Sequence, residues 1–248
     1  MKKLFLILTT ICLMGSVWAE EFSLQGKKDN GGNTKLKVGI AMPMGDFASH
    51  DGVWVLQSGE HATNVAGYAK RGFNVGIQQR IDLHILGLGL LIEADLFYNE
   101  FNADSLLILN SNTEVTPRSF NLPVMIGADI HLPLGDKLAL MAEAGIGVNF
   151  RYVTKWEDQG DLLGLVTAGY SNRYNVANSV AYKAGVGLLL GNVFSIELQY
   201  LNLGAAPLSG TTHWASEVAG ILGGDTDIDF NTGSMETSML NLCIGYRF

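Results

Sequence analysis

The chain has 248 residues, 24 acidic against 16 basic side chains, and a formal net charge of −8. That balance excludes a nucleic-acid binder, which needs basic surface to meet phosphate. Apolar residues make up 48%, yet past the N-terminus no stretch reaches the roughly 18 apolar residues of a helical membrane span. Glycine, 30 of 248, is about 12% against a typical ~7%; both features fit a membrane protein built of strands.

Residues 1–19, MKKLFLILTTICLMGSVWA, read as a signal peptide. Lys2 and Lys3 give a charged start, Leu4 to Met14 an apolar run too short to cross a bilayer, and Val17 and Ala19 a small-residue cleavage site after Ala19. Export follows. Cleavage leaves Cys243 as the only cysteine, so no internal disulfide forms. Residues 20–34, EEFSLQGKKDNGGNT, read as a flexible periplasmic leader.

From there apolar residues recur at every second position, the period of a strand with two unlike faces. Residues 35–45 put Leu36, Val38, Ile40, Met42 and Met44 on one face. Residues 69–82 put Phe73, Val75, Ile77 and Ile81 there, and 88–99 Leu90, Ile92, Ala94, Leu96 and Tyr98. The pattern continues over 119–132, 138–151, 179–190 and 193–203, and closes with 240–248, LNLCIGYRF. Eight segments of this length exceed the usual 5–6 residues of a soluble strand; at ~3.3 Å per residue and a ~40° tilt, 11 residues rise roughly 28 Å.

The connections alternate long and short. Segments 46–68, 100–118, 152–178 and 204–237 are long, and 83–87, 133–137 and 191–192 are short, with turn chemistry in Pro133-Leu134-Gly135-Asp136 and Gly191-Asn192. In lipid every backbone amide must be paired, so strands cross only as a closed cylinder. The expectation is all-β: an eight-stranded antiparallel up-and-down transmembrane β-barrel over 35–248, with long loops outside and short turns in the periplasm. Glycines such as Gly39, Gly76, Gly145 and Gly245 fall on the inner face, where a narrow bore fills with its own side chains. Three positions fit poorly. Arg71 and Gln79 fall on the lipid face by register, with Arg71 at a strand end, and Pro123 inside a strand predicts a bulge or an extension beyond the membrane.

The tail pairs with the first strand and closes the cylinder. Its apolar residues Leu240, Leu242, Ile244, Tyr246 and Phe248 stand at the ninth-, seventh-, fifth-, third-from-last and last positions. This resembles the C-terminal signal of bacterial outer-membrane proteins, which implies the barrel-assembly machinery as a partner during biogenesis. The eight-strand pattern resembles the small OmpA/OmpX-like barrels. IAMPMGDF and NLPVMIGADIHLPLGDKLALMAEAGIGV look like the outer-membrane β-barrel domain proteins of Bacteroidetes-type bacteria. The resemblance implies residence in the cell outer membrane. Such families include adhesins, envelope-stabilising proteins and narrow channels, so it does not choose among them.

The inward charges form two arcs: Lys35, Lys37, Lys70, Arg80 and Arg247 on the first two strands and the last, and Glu93, Asp95, Asp129 and Glu143 on the next three, followed by Lys183 and Glu197. Two readings stand. Either the arcs pair into a plug, because buried charges need partners, or they set a transverse field across a narrow water path for ions and small polar solutes. The first goes with a surface-exposed structural or adhesion-type protein, meeting an extracellular ligand or host surface through its loops; the second with a porin-like channel. A lipid-modifying enzyme is the outside alternative. His50, His61 and His213 lie in loops without a serine or acidic motif beside them, and His84 and His131 at the short turns, so no catalytic residue, metal site or cofactor is assigned. Asp225, Asp227, Asp229 and Glu236 stand at positions 1, 3, 5 and 12 of an EF-hand count, but Phe230 replaces its turn glycine; a solvated acidic loop is the default. In THWASEVAGIL, Trp214, Val218, Ile221 and Leu222 fall on one face of a short helix capped by Thr212.

Overall fold

The computed structural model describes residues 33–83, 85, 87–102, 112–115, 117–135, 137–162, 166–216 and 226–248. The expected signal peptide and most of the leader lie outside them. In chain order the strands are β1 (Thr34–Met44), β2 (Val53–Trp54), β3 (Val65–Ala66), β4 (Gly72–Asp82), β5 (Leu88–Glu100), β6 (Asn112–Val115), β7 (Arg118–Pro133), β8 (Leu138–Val153), β9 (Trp156–Leu162), β10 (Val166–Tyr174), β11 (Ala177–Leu190), β12 (Phe194–Ala205), β13 (Ser209–Ser216), β14 (Thr226–Asn231) and β15 (Glu236–Arg247). A single helical turn, Gly45–Ala48, follows β1.

Eight strands close a barrel in the order β1-β15-β12-β11-β8-β7-β5-β4, every neighbour antiparallel. The seam joins β1 to β15, with Ile40 opposite Leu242 and Lys35 opposite Arg247. The expected eight-stranded architecture is thus the observed one, and its strand limits differ from the expected ones by a few residues. Gly191 and Asn192 both take left-handed φ, 60° and 58°, in the three-residue connection between the paired Leu190 and Phe194, one residue longer than the expected 191–192 turn. Pro123 makes no bulge. The β5–β7 ladder skips between Ala94↔Val124 and Phe97↔Asn121 and resumes in the same register. Proline has no N–H to give, so pairing lapses locally without shifting the strand. Arg71 lies just before β4, and Gln79 accepts a hydrogen bond from Thr34 Oγ1 at 2.7 Å.

The faces are inverted relative to a soluble barrel. Leu36, Val38, Ile40, Phe73, Val75, Ile126, Ile146, Val180, Val186, Leu198 and Ile244 are exposed on the outside, while Lys37, Glu93, Asp95, Gln199 and Asn241 are buried within. Aromatic rings gather near both rims. Phe73 stacks on Tyr98, which meets Phe120, which meets Tyr152, at the long-loop end; Phe194, Tyr246 and Phe248 do the same at the short-turn end.

Beyond the barrel the long connections are not mere loops. Strands β14-β13-β10-β9-β6 form a second antiparallel sheet, and β2 and β3 pair in parallel. The helix expected over 212–222 is corrected. Residues up to Ser216 belong to β13 and pair with β10 and β14, and the rest of that segment lies outside the described residues. Trp214 sits opposite Tyr170, so pairing with β10 and β14 set the conformation rather than the helical spacing of its apolar residues.

Candidate functional site: the filled lumen

The alternation that sends leucine and isoleucine outward sends the intervening residues inward, and they fill the bore in three levels. At the short-turn end, Arg80 donates through Nε to both Asp129 carboxylate oxygens at 2.9 Å and through Nη2 to the Gly87 carbonyl at 2.9 Å. Its Nη1 is 3.2 Å from Asp82 Oδ2, and His131 Nε2 is 2.9 Å from Asp129 Oδ2. Arg247 lies near the same rim, opposite Lys35 on the neighbouring strand, and is 9% exposed.

The middle level is one connected network. Lys35 Nζ lies 2.5 Å from Glu197 Oε1. Lys37 Nζ lies 2.9 Å from Glu93 Oε2 and 3.2 Å from Asp95 Oδ2. Lys183 Nζ bridges Glu93 at 2.5 Å and Glu143 at 2.8 Å. Neutral amides tie the pairs together. Gln78 donates to Glu93 and Glu143 at 2.6 and 2.9 Å, Gln199 to Glu143 and Glu197 at 2.7 and 2.9 Å, and Asn241 to Gln199 at 2.9 Å. Buried charges persist only when paired and hydrogen-bonded, and here each lysine has at least one carboxylate and each carboxylate at least one lysine. Two glycines make the room. A Cβ on Gly76 would fall 1.5 Å from Asp95 Oδ1, and one on Gly245 would fall 2.4 Å from Ser195 Oγ.

Lys70 is corrected: it is exposed, precedes β4, and takes no part in the network. The inner parity was right, but the strand begins at Gly72, leaving Lys70 beyond the rim. Gln78, Gln199 and Asn241 share the inner parity of the lysines and glutamates, and that parity was the signal that could have found them.

The third level, at the long-loop end, is apolar. Residues 45–71 fold back over the mouth, so that Phe47, Trp54, Val55 and Leu56 are buried against Phe97, Phe101, Trp156, Leu201 and Met239. Trp54 packs edge-on against Phe101 and Trp156 at 5.9 and 4.9 Å, and its indole N–H donates to the Gly67 carbonyl at 3.2 Å. This plug has no period-two or helical signature, and nothing in the sequence singled it out. Between the plug and the charged network lies Arg151, 3% exposed.

The acidic residues of the expected EF-hand count are not gathered. Asp227 lies 2.7 Å from His213 Nδ1, Asp229 accepts from Thr211 at 3.0 Å, and Glu236 contacts Asn202 and Ser238; Asp225 lies outside the described residues. Among the described residues no three His, Cys, Asp or Glu side chains form a group able to hold a metal. His50 packs edge-on against Tyr68 at 4.9 Å, and His84 lies outside the described residues.

By sequence, no family model matches the chain and no curated protein does. Among solved structures it is similar to Ail, the attachment invasion locus protein of Yersinia pestis, in complex with the heparin analogue sucrose octasulfate. The identity is 14%, covering 88% of this chain and 99% of that one, with a TM-score of 0.40. It is also similar to the outer membrane protein OprG from Pseudomonas aeruginosa, at 13% identity over 88% of this chain and 97% of that one, with a TM-score of 0.44.

Proposed function

We propose that the chain is an integral outer-membrane barrel that does not conduct, and that it works through the sheet on its long-loop side as a structural or adhesion-type surface protein. The apolar outer face supports the membrane assignment. A belt of exposed leucine, isoleucine and valine between two aromatic rims is far larger than the few hundred Å² of apolar patch that a water-soluble surface carries. The long loops then lie outside the cell and the short turns in the periplasm. The signal peptide cut near Ala19, the leader over 20–34 and delivery by the barrel-assembly machinery through Leu240, Leu242, Ile244, Tyr246 and Phe248 belong to the same proposal.

The observation that carries the closed-lumen reading is the stacking of two seals in series, the ion-paired layer around Lys37, Glu93, Lys183 and Glu143 and the aromatic plug of Phe47 and Trp54. An unbroken water path is what a porin-like channel needs, and both layers stand across it. Planar-bilayer recordings of the refolded protein test this. The expected result is no steady current. A steady, ion-selective current that changes on Lys37→Met or Glu93→Gln would replace this reading with the channel. For the adhesion arm, binding of the refolded protein to cell-surface preparations is expected, and it disappears when 206–235 is replaced by a short linker.

A further inference from the structure

Every other lysine and arginine with a described partner inside the barrel meets a carboxylate; among the described residues Arg151 does not. It projects from β8 just below the mouth plug and is 3% exposed. Its Nη1 lies 3.4 Å from Thr237 Oγ1, a long contact with a neutral hydroxyl, and its Cζ lies 5.6 Å from the centroid of the Phe47 ring. Among the described residues its Nε and Nη2 have no hydrogen-bond partner. Directly across the strand pair stands Asn121, whose amide donates to Ser119 and accepts from Asn149. The inward carboxylates Glu93, Asp95, Asp129, Glu143 and Glu197 are all engaged with other cations nearer the short-turn end.

The identity of the two free donors matters. Nε–H and the adjacent Nη2–H lie along one edge of the guanidinium and point the same way. That edge accepts two oxygens of a single planar or tetrahedral oxyanion, in the side-on form of the bidentate arginine contact. Phe47 covers one face of the group and Thr237 takes a contact from Nη1, and the side-on edge is left as a pair of adjacent donors without a described partner. Buried water can satisfy N–H donors, but it does not neutralise the charge, and a buried guanidinium without a counter-ion is strongly disfavoured.

We propose that the side-on edge of Arg151 is a binding site for a small oxyanion, a carboxylate or a phosphate, lying beneath the aromatic plug and entered from the long-loop side when residues 45–71 lift. This goes beyond the surface role proposed above and does not depend on it, because the occupant ends at the plug and does not cross the charged layer.

The test uses the full barrel refolded in detergent micelles, with ¹⁵N-labelled arginine. Sodium acetate and sodium phosphate are titrated separately at constant ionic strength held with chloride, following the arginine Nε–H resonances and the thermal midpoint. One Nε–H resonance, identified by its loss in Arg151→Lys, is expected to shift saturably with acetate or phosphate, with a parallel rise in midpoint. The anion that saturates at the lower concentration assigns the site to carboxylate or phosphate. Arg151→Met is expected to lose the anion-dependent rise. It should unfold, without anion, no earlier than the parent, because it removes an uncompensated charge. The proposal is overturned if that resonance does not shift with either anion, if chloride alone produces the same shift, or if Arg151→Met keeps the rise.

Discussion

Lys35 and Glu197 stand 162 residues apart in the chain and meet inside the barrel with Nζ 2.5 Å from Oε1. Both are buried, at 2% and 1% exposure, and Glu197 also takes hydrogen bonds from Ser195 and Gln199. Removing one partner of such a pair costs about 3–5 kcal/mol, because the other charge stays buried. Lys35→Met is expected to lower the stability of the refolded barrel by about that much, as read from urea unfolding in lipid vesicles. Lys35→Met with Glu197→Gln is expected to recover most of the loss. If the double variant is as unstable as the single one, Glu197 is not the group that Lys35 neutralises.

Gly76 tests the room left for the charged layer. A methyl group there would overlap Asp95 Oδ1 and come within 3.3 Å of Lys37 Cε. Overpacking a filled interior costs about 1–3 kcal/mol. Gly76→Ala is expected to lose that much in the same urea assay, whereas Gly135→Ala, which meets nothing within 4 Å, is expected to fold with unchanged midpoint.

The outer face makes a depth-dependent prediction. Ile126 is 64% exposed on the mid-wall of β7, and Leu134 is 61% exposed at the short turn that follows it. Arginine at the bilayer midplane costs about 2–4 kcal/mol and near the interface about 0–1. Ile126→Arg is therefore expected to destabilise the barrel in vesicles several times more than Leu134→Arg. Equal costs would show that the two positions sit at one depth, or that neither faces lipid.

Trp54 separates the two seals. Its ring meets Phe101 and Trp156 and is 2% exposed, so Trp54→Ala is expected to cost about 3–5 kcal/mol. The charged layer below it is untouched, and planar-bilayer recordings of Trp54→Ala are expected to remain silent. A current in this variant would mean that the plug alone closes the barrel.

The wall was legible because its information is local. Each strand has lipid-type residues at one parity and small or polar residues at the other, and a one-residue slip would reverse every side chain; Leu36, Val38 and Ile40 needed no knowledge of what they paired with. What lies inside and above was not local. That Lys183 would reach Glu93 and Glu143 rather than Glu197 depends on which strands face one another across the bore. That 209–216 would be a strand depends on β10 and β14, which lie elsewhere in the chain. Phe47 and Trp54 belong to segments with no period at all, and their burial follows from where the mouth happens to be.

The seam between Thr34–Met44 and Glu236–Arg247 is a joint of ten matched residues, as continuous as the hairpins on either side. Topologically the wall is a ring without a privileged starting point. Linking residue 248 back to residue 33 and opening the chain at Gly191–Asn192 should preserve every inter-strand joint, and the rearranged polypeptide should close into the same cylinder.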